Sequence, residues 1–166
     1  MRVAVLTVSD SGSRGERPRD LSGEAVQECL AGLDARVVDY ALVPDEVELI
    51  AARLREWADG NDVDLVLTTG GTGLSPRDVT PEATARVVEK LVPGLTEVMR
   101  AESVKKTPRG MLSRAIAGIR GRCLIVNLPG NPRAVRECLG AILPALPHAI
   151  EVLRGEVREC AAGGGG

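Results

Sequence analysis

Three short runs, 3–8, 63–69 and 123–128, carry apolar residues at successive positions rather than only at alternate ones. A strand with one wet face alternates, whereas a strand apolar on both faces needs cover above and below. Helical periodicity fills the intervals between them. Ala25, Val26, Cys29, Leu30 and Leu33 recur at helical spacing behind Asp20 or Ser22 as N-cap, and Val47, Ile50, Ala51, Leu54 and Trp57 form a second stripe closed by Gly60. A further strand is expected over 36–43. Strands alternating with helices imply βαβ crossovers. The expected fold is α/β, a three-layer α/β/α domain around a mostly parallel central sheet.

The remaining helices have start signals of their own. Thr80-Pro81-Glu82 offers a hydroxyl N-cap, a proline in the first turn and an acid beside it. A helix is expected from near Gly94 to about Lys105, and another from Asn131-Pro132, kinked by Pro144 and Pro147, to about Leu153. Residues 1–155 then form one domain, and 156–166 a flexible glycine-rich tail.

In such a sheet, ligands gather at the carboxyl ends of the strands. Three polar loops fall there. The first, Thr69-Gly70-Gly71-Thr72-Gly73 running on to Asp78, has three glycines in four positions, which allow close backbone approach to an anion. It is neither a Walker A loop nor a dinucleotide G-x-G-x-x-G motif. With Thr80 as the N-cap, Asp78 is free to face a metal or a substrate, and Arg77 is a natural phosphate partner. The second loop, Val43-Pro44-Asp45-Glu46, has two readings: Asp45 with Glu48 has the form of a capping box, or it belongs to the site. The third, Asn127-Leu128-Pro129-Gly130-Asn131-Pro132, joins a strand end to a helix start and suits either a phosphate or a plain turn.

Composition narrows the chemistry. The formal charge of -2 and a single Trp and Tyr with no Phe argue against a nucleic-acid binder, which needs basic excess or stacking surfaces. Cys29, Cys123, Cys138 and Cys160 are scattered, with His148 the one histidine, so a zinc site is not expected. No leader-like or membrane-crossing segment is read, which points to the cytoplasm and to reduced cysteines acting as small hydrophobes. Locally the charge is different. Arg100, Lys105, Lys106, Arg109, Arg114, Arg120 and Arg122 face one acid, Glu102, a field able to gather a polyanion. Pro108 to Gly110 breaks that stretch into a loop, which favours a binding segment carrying Ser103, Lys105, Ser113 and Arg114.

Taken in order, Thr7-Val8-Ser9-Asp10, Asp20-Leu21-Ser22-Gly23, Val43 to Glu46, Thr69 to Ala83, Met111-Leu112-Ser113-Arg114 with Ala117 to Arg120, and Asn127 to Pro132 resemble the MogA/MoaB-type molybdopterin adenylyltransferases, including the corresponding domains of plant Cnx-type proteins and gephyrin. The likeness runs from about Arg2 to Leu153. It implies Mg-ATP-dependent adenylylation of molybdopterin in molybdenum cofactor biosynthesis, with pyrophosphate as the other product. It also implies Asp45 and Asp78 as the functional, metal-binding aspartates. Gly70, Gly71, Thr72, Gly73, Pro129 and Gly130 would line the nucleotide site, and Ser9, Asp10, Ser103, Lys105, Ser113 and Arg114 the pterin side. A homo-oligomer, trimer or hexamer, and a molybdenum-insertion enzyme as partner follow from the same likeness. The alternative is a non-catalytic molybdopterin-binding or scaffold module of the same fold.

Overall fold

The computed structural model describes residues 1–16, 18–60 and 62–156. The tail expected over 156–166, and Cys160 with it, lies almost wholly outside the described residues. In chain order the elements are β1 (Arg2–Val8), α1 (Asp10–Ser13), α2 (Leu21–Leu30), β2 (Arg36–Val43), α3 (Val47–Asp59), β3 (Leu65–Thr69), α4 (Thr80–Ala85), β4 (Lys90–Leu91), α5 (Pro93–Lys106), a 3-10 turn (Pro108–Leu112), β5 (Ala117–Arg120), β6 (Cys123–Leu128), α6 (Pro132–Ile142), a second 3-10 turn and α7 (Leu146–Arg154). They form one six-stranded sheet in the order β2-β1-β3-β6-β5-β4. The first four strands are parallel, and β5 runs antiparallel to both β6 and β4.

The doubly apolar runs explain the layers. Val3 and Val5 of β1, Leu65 and Leu67 of β3, and Leu124, Val126 and Leu128 of β6 pack against α2, α5, α6 and α7. The intervening Ala4, Leu6, Val8, Val66, Cys123 and Ile125 pack against α3 and α4. Successive side chains of one strand thus feed two separate cores, as the two-residue repeat of a strand requires. Trp57 closes the second core and donates its indole N–H to Asp39 of β2 at 2.8 Å. The short pair β4 and β5 was not expected from the sequence. It extends the sheet beyond β6 and carries the chain back toward the site.

At the opposite end of the sheet from the loops sits a buried ion cluster. The side chain of Asp64 is 6% exposed and accepts from the backbone and guanidinium of Arg2 and from Arg154. Burial opposes its ionisation, but the hydrogen bonds from Arg154 and Arg2 outweigh that and bring its pKa from 3.8 down to about 2. Because the folded value is depressed, this stabilisation is complete above the ordinary carboxyl range and is lost as pH falls through about 2. Removing one partner strands buried charge, and the arginines are partly wet. Asp64→Ala is therefore expected to cost about 2–3 kcal/mol, read as a lower urea midpoint with an unchanged slope. An unchanged midpoint would show the cluster to be thermodynamically idle.

Candidate functional site

The strand order places a topological switch point between β1 and β3, since the chain leaves β1 toward β2 on one side and builds β3 and β6 on the other. A cleft of about 860 Å³ opens there, at the carboxyl ends of the strands. Ser9 and Asp10 after β1, Asp45 after β2, Gly70, Gly71 and Asp78 after β3, and Gly130 after β6 all line it. A second cleft of about 410 Å³ lies between the glycine-rich loop and the α5–α6 side. It is lined by Gly71, Thr72, Gly73, Asp78, Ser103, Ser113, Pro129 and Gly130, with Arg100, Arg109 and Cys138. Gly71, Asp78 and Gly130 belong to both walls.

The glycine-rich loop is held from beneath. Thr69 donates its hydroxyl to the Pro129 carbonyl at 2.7 Å, and the Gly70 amide donates to the Leu128 carbonyl at 3.3 Å, so the loops after β3 and β6 are stitched together. Gly70 and Gly71 have φ of 98° and 64°, in the left-handed region that favours glycine. A Cβ on Gly70 would strike the Val8 carbonyl oxygen. One on Gly71 would strike the Thr80 hydroxyl and stand 3.0 Å from Asp45 Oδ1, covering that carboxylate.

Thr80 is not the N-cap expected of it. Val79 holds that position without a side-chain cap, and the buried Thr80 hydroxyl donates to the Gly70 carbonyl at 2.9 Å. Its hydroxyl is needed to satisfy a carbonyl that the tight glycine turn buries. Asp78 is consequently not as free as that expectation made it, since its Oδ2 accepts from the Ser75 amide at 2.9 Å inside its own loop. The capping reading of Asp45 fails as well. Glu46 is the N-cap of α3, with no side-chain cap bond, and the helix starts at Val47. Asp45 and Asp10 instead exchange bonds: the Asp10 amide donates to Asp45 Oδ2 at 2.9 Å, and the Asp45 amide to Asp10 Oδ1 at 3.0 Å. Neither Asp45 nor Asp78 caps a helix: Glu46 and Val79 hold the N-cap positions, each without a side-chain bond.

These acids differ in charge state tendency. Arg77 grips Asp10 with two hydrogen bonds of 2.9 Å, and that contact brings Asp10 down to a pKa of about 2. Burial pushes Asp45 up, opposed by the Asp10 amide and reinforced by the negative charges of Asp10 and Asp78. A half-buried carboxylate among like charges favours a nearby cation.

The expected pterin set divides. Ser103 and Ser113 stand together in the second cleft, while Ser9 and Asp10 stand in the first. Ser9 also caps α1 through its hydroxyl. Lys105 joins neither wall; its ammonium group is exposed and pairs with Glu102 on α5. Arg114 turns its guanidinium onto the loop carbonyls and Glu82. The basic field of the sequence is largely dispersed by distant partners, with Arg120 on Asp59 and Arg122 on the Arg154 carbonyl, leaving Arg100 and Arg109 on the second cleft. Sequence reasoning missed Asp20, a wall residue of the first cleft that accepts from Tyr40, Ser22 and the Gly23 amide. Its signals were its place as an N-cap and its place in the Asp20-Leu21-Ser22-Gly23 motif, neither of which was given a role in the site. His148 is exposed beside Glu151, away from both clefts.

Residues 4–148 match the family model described as "Probable molybdopterin binding domain". The chain belongs to this family. A molybdopterin adenylyltransferase of Helicobacter pylori is 46% identical over 157 residues, covering 93% of this chain and 89% of the relative. The molybdopterin adenylyltransferase of Escherichia coli is 35% identical, covering 97% and 89%. Among solved structures, the molybdopterin biosynthesis enzyme MoaB of Thermus thermophilus superposes with a TM-score of 0.88 at 55% identity, over 93% of this chain and 96% of that one. The α/β fold read from the sequence is thus the fold of the family. Among the described residues, no helix is long and apolar enough to cross a membrane.

Proposed function

We propose that this protein is a molybdopterin adenylyltransferase, acting in molybdenum cofactor biosynthesis by transferring the adenylyl group of ATP to molybdopterin. The observation that carries the reading is the shared wall: two clefts of ligand size meet at Gly71, Asp78 and Gly130, with Asp45 directly over Gly71. Group transfer between two bound molecules needs two adjoining sites with the reacting atoms at their junction. The larger cleft takes the nucleotide. The smaller one takes the pterin, whose phosphate has Arg100, Arg109, Ser103 and Ser113 as partners. This partition moves Ser9 and Asp10 to the nucleotide side.

In the reaction so read, an oxygen of the molybdopterin phosphate forms a bond to the α-phosphorus of ATP, and the bond to the β-phosphate breaks to release pyrophosphate. Mg²⁺ belongs to the same proposal. It is commonly held by one or two carboxylates together with substrate phosphates, and Asp45 and Asp78 are a set of that size. When bound, the ion neutralises charge on the triphosphate. The chain's own part is to orient. Gly71 keeps Asp45 uncovered, Ser75 fixes Asp78, and Arg77 holds Asp10 ionised beside Asp45. Transfer of this kind asks for positioning and charge stabilisation rather than a protein nucleophile.

A homotrimer or hexamer and a cytoplasmic setting with free thiols accompany this reading; Cys29, Cys123 and Cys138 are unpaired in the fold. Pyrophosphate release from Mg-ATP, measured with and without molybdopterin, tests the function. Release only with molybdopterin is expected. Release without it would mark a nucleotide hydrolase, and pterin binding with no release would mark a binding module.

A further inference from the structure

Arg114 lines neither cleft, but its side chain is bonded to the glycine-rich loop that forms part of both walls. Its Nε donates to the Gly73 carbonyl at 2.7 Å, and a terminal nitrogen donates to the Asp78 carbonyl at 2.6 Å. The guanidinium also pairs with Glu82 in the first turn of α4, holding that carboxyl below its ordinary range. Its backbone amide donates to the Thr72 carbonyl at 3.0 Å. Both ends of the segment 73–78 are therefore gripped by one residue from the stretch leading into β5, more than thirty positions away. The bonds inside that segment, between Ser75 and Asp78, fix its shape but not its place. Among the described residues, its other hydrogen-bonded tie to the rest of the fold is the exposed Arg77–Asp10 pair.

We propose that Arg114 is a positioning residue, which sets the Asp78 carboxylate at the junction of the two clefts by clamping the Gly73 carbonyl and the backbone carbonyl of Asp78 itself. The inference rests on the adenylyl-transfer reading for its effect on rate. Only a guanidinium can serve two carbonyls and a carboxylate from one planar group, so lysine replaces the clamp in part. Ser113, the preceding residue, lines the second cleft, which links the clamp to the side where the pterin is placed.

Steady-state pyrophosphate release, with molybdopterin and Mg-ATP varied in turn, is measured for Arg114→Ala and Arg114→Lys in the wild-type and Asp78→Asn backgrounds. Arg114→Ala is expected to lower kcat about 30-fold with little change in the KM for molybdopterin, and Arg114→Lys to recover part of the loss. In the Asp78→Asn background the same substitution should cost less than about 3-fold, because both changes act through one carboxylate. Independent multiplication of the two losses, or a raised molybdopterin KM at unchanged kcat, would overturn the proposal. Hydrogen exchange of the full-length protein separates the clamp from the chemistry. Amides of 73–78 should exchange about tenfold faster in Arg114→Ala while the strand amides stay protected. Unchanged exchange there sinks the clamp whatever the reaction proves to be. If wild-type protein releases no pyrophosphate but the exchange result holds, the reaction reading fails and the clamp stands. Should Arg114→Ala not fold, Arg114→Lys carries both measurements.

Discussion

Asp45→Asn and Asp78→Asn are each expected to lower pyrophosphate release by about two orders of magnitude or more, the scale seen when one preorganised electrostatic group is lost from an active site. Asparagine preserves the size of the side chain and keeps an oxygen able to accept from the Asp10 amide or the Ser75 amide, so the local bonds that hold each residue survive. What disappears is the negative charge. No helix depends on either side chain for its cap, and the circular dichroism and melting temperature should stay close to wild type. Turnover within a few-fold of wild type in either variant would remove that aspartate from the chemistry. A large fall accompanied by unfolding would instead mark a structural role.

Gly70→Ala is expected to be the most damaging single methyl group in the site. The residue has φ of 98°, and its Cβ would strike the Val8 carbonyl at the end of β1. The nearest atoms to that Cβ are all backbone atoms of Val8, not a flexible side-chain tip, so the backbone itself has to move. A loss of about 3 kcal/mol follows from strain of this kind, corresponding to roughly 10 °C in melting temperature for a chain of this size. Calorimetry checks it. A melting temperature within about 2 °C of wild type would mean the switch-point backbone yields more easily than close packing suggests.

The sequence was most legible where one physical rule acted alone. Runs apolar on both faces could only be covered strands, and they fixed β1, β3 and β6 and with them the end of the sheet where ligands collect. β4 and β5 escaped because two and four residues carry little periodicity, and Gly118 and Arg120 interrupt what there is. Capping logic misled at both aspartates for a common reason. Side-chain oxygens compete for whichever partner the tertiary fold presents: Thr80 found the Gly70 carbonyl, and Asp45 found Asp10. The basic stretch failed differently. Of the seven cations, Arg114, Arg120 and Arg122 meet acids or carbonyls that are remote in sequence, namely Glu82, Asp59 and the Arg154 carbonyl. Charge density along a chain does not survive folding as charge density in space.

With one tryptophan in the chain, any ultraviolet emission excited above the tyrosine band comes from a single address. Trp57 lies 5% exposed in the last turns of α3, bonded to Asp39 of β2, with the Arg53 guanidinium 5.6 Å from its ring centre. The helix that carries it begins just beyond Asp45. Its quantum yield therefore senses the seam between an edge strand and the helix leading out of the site, and the protein carries its own optical gauge of that seam without a label.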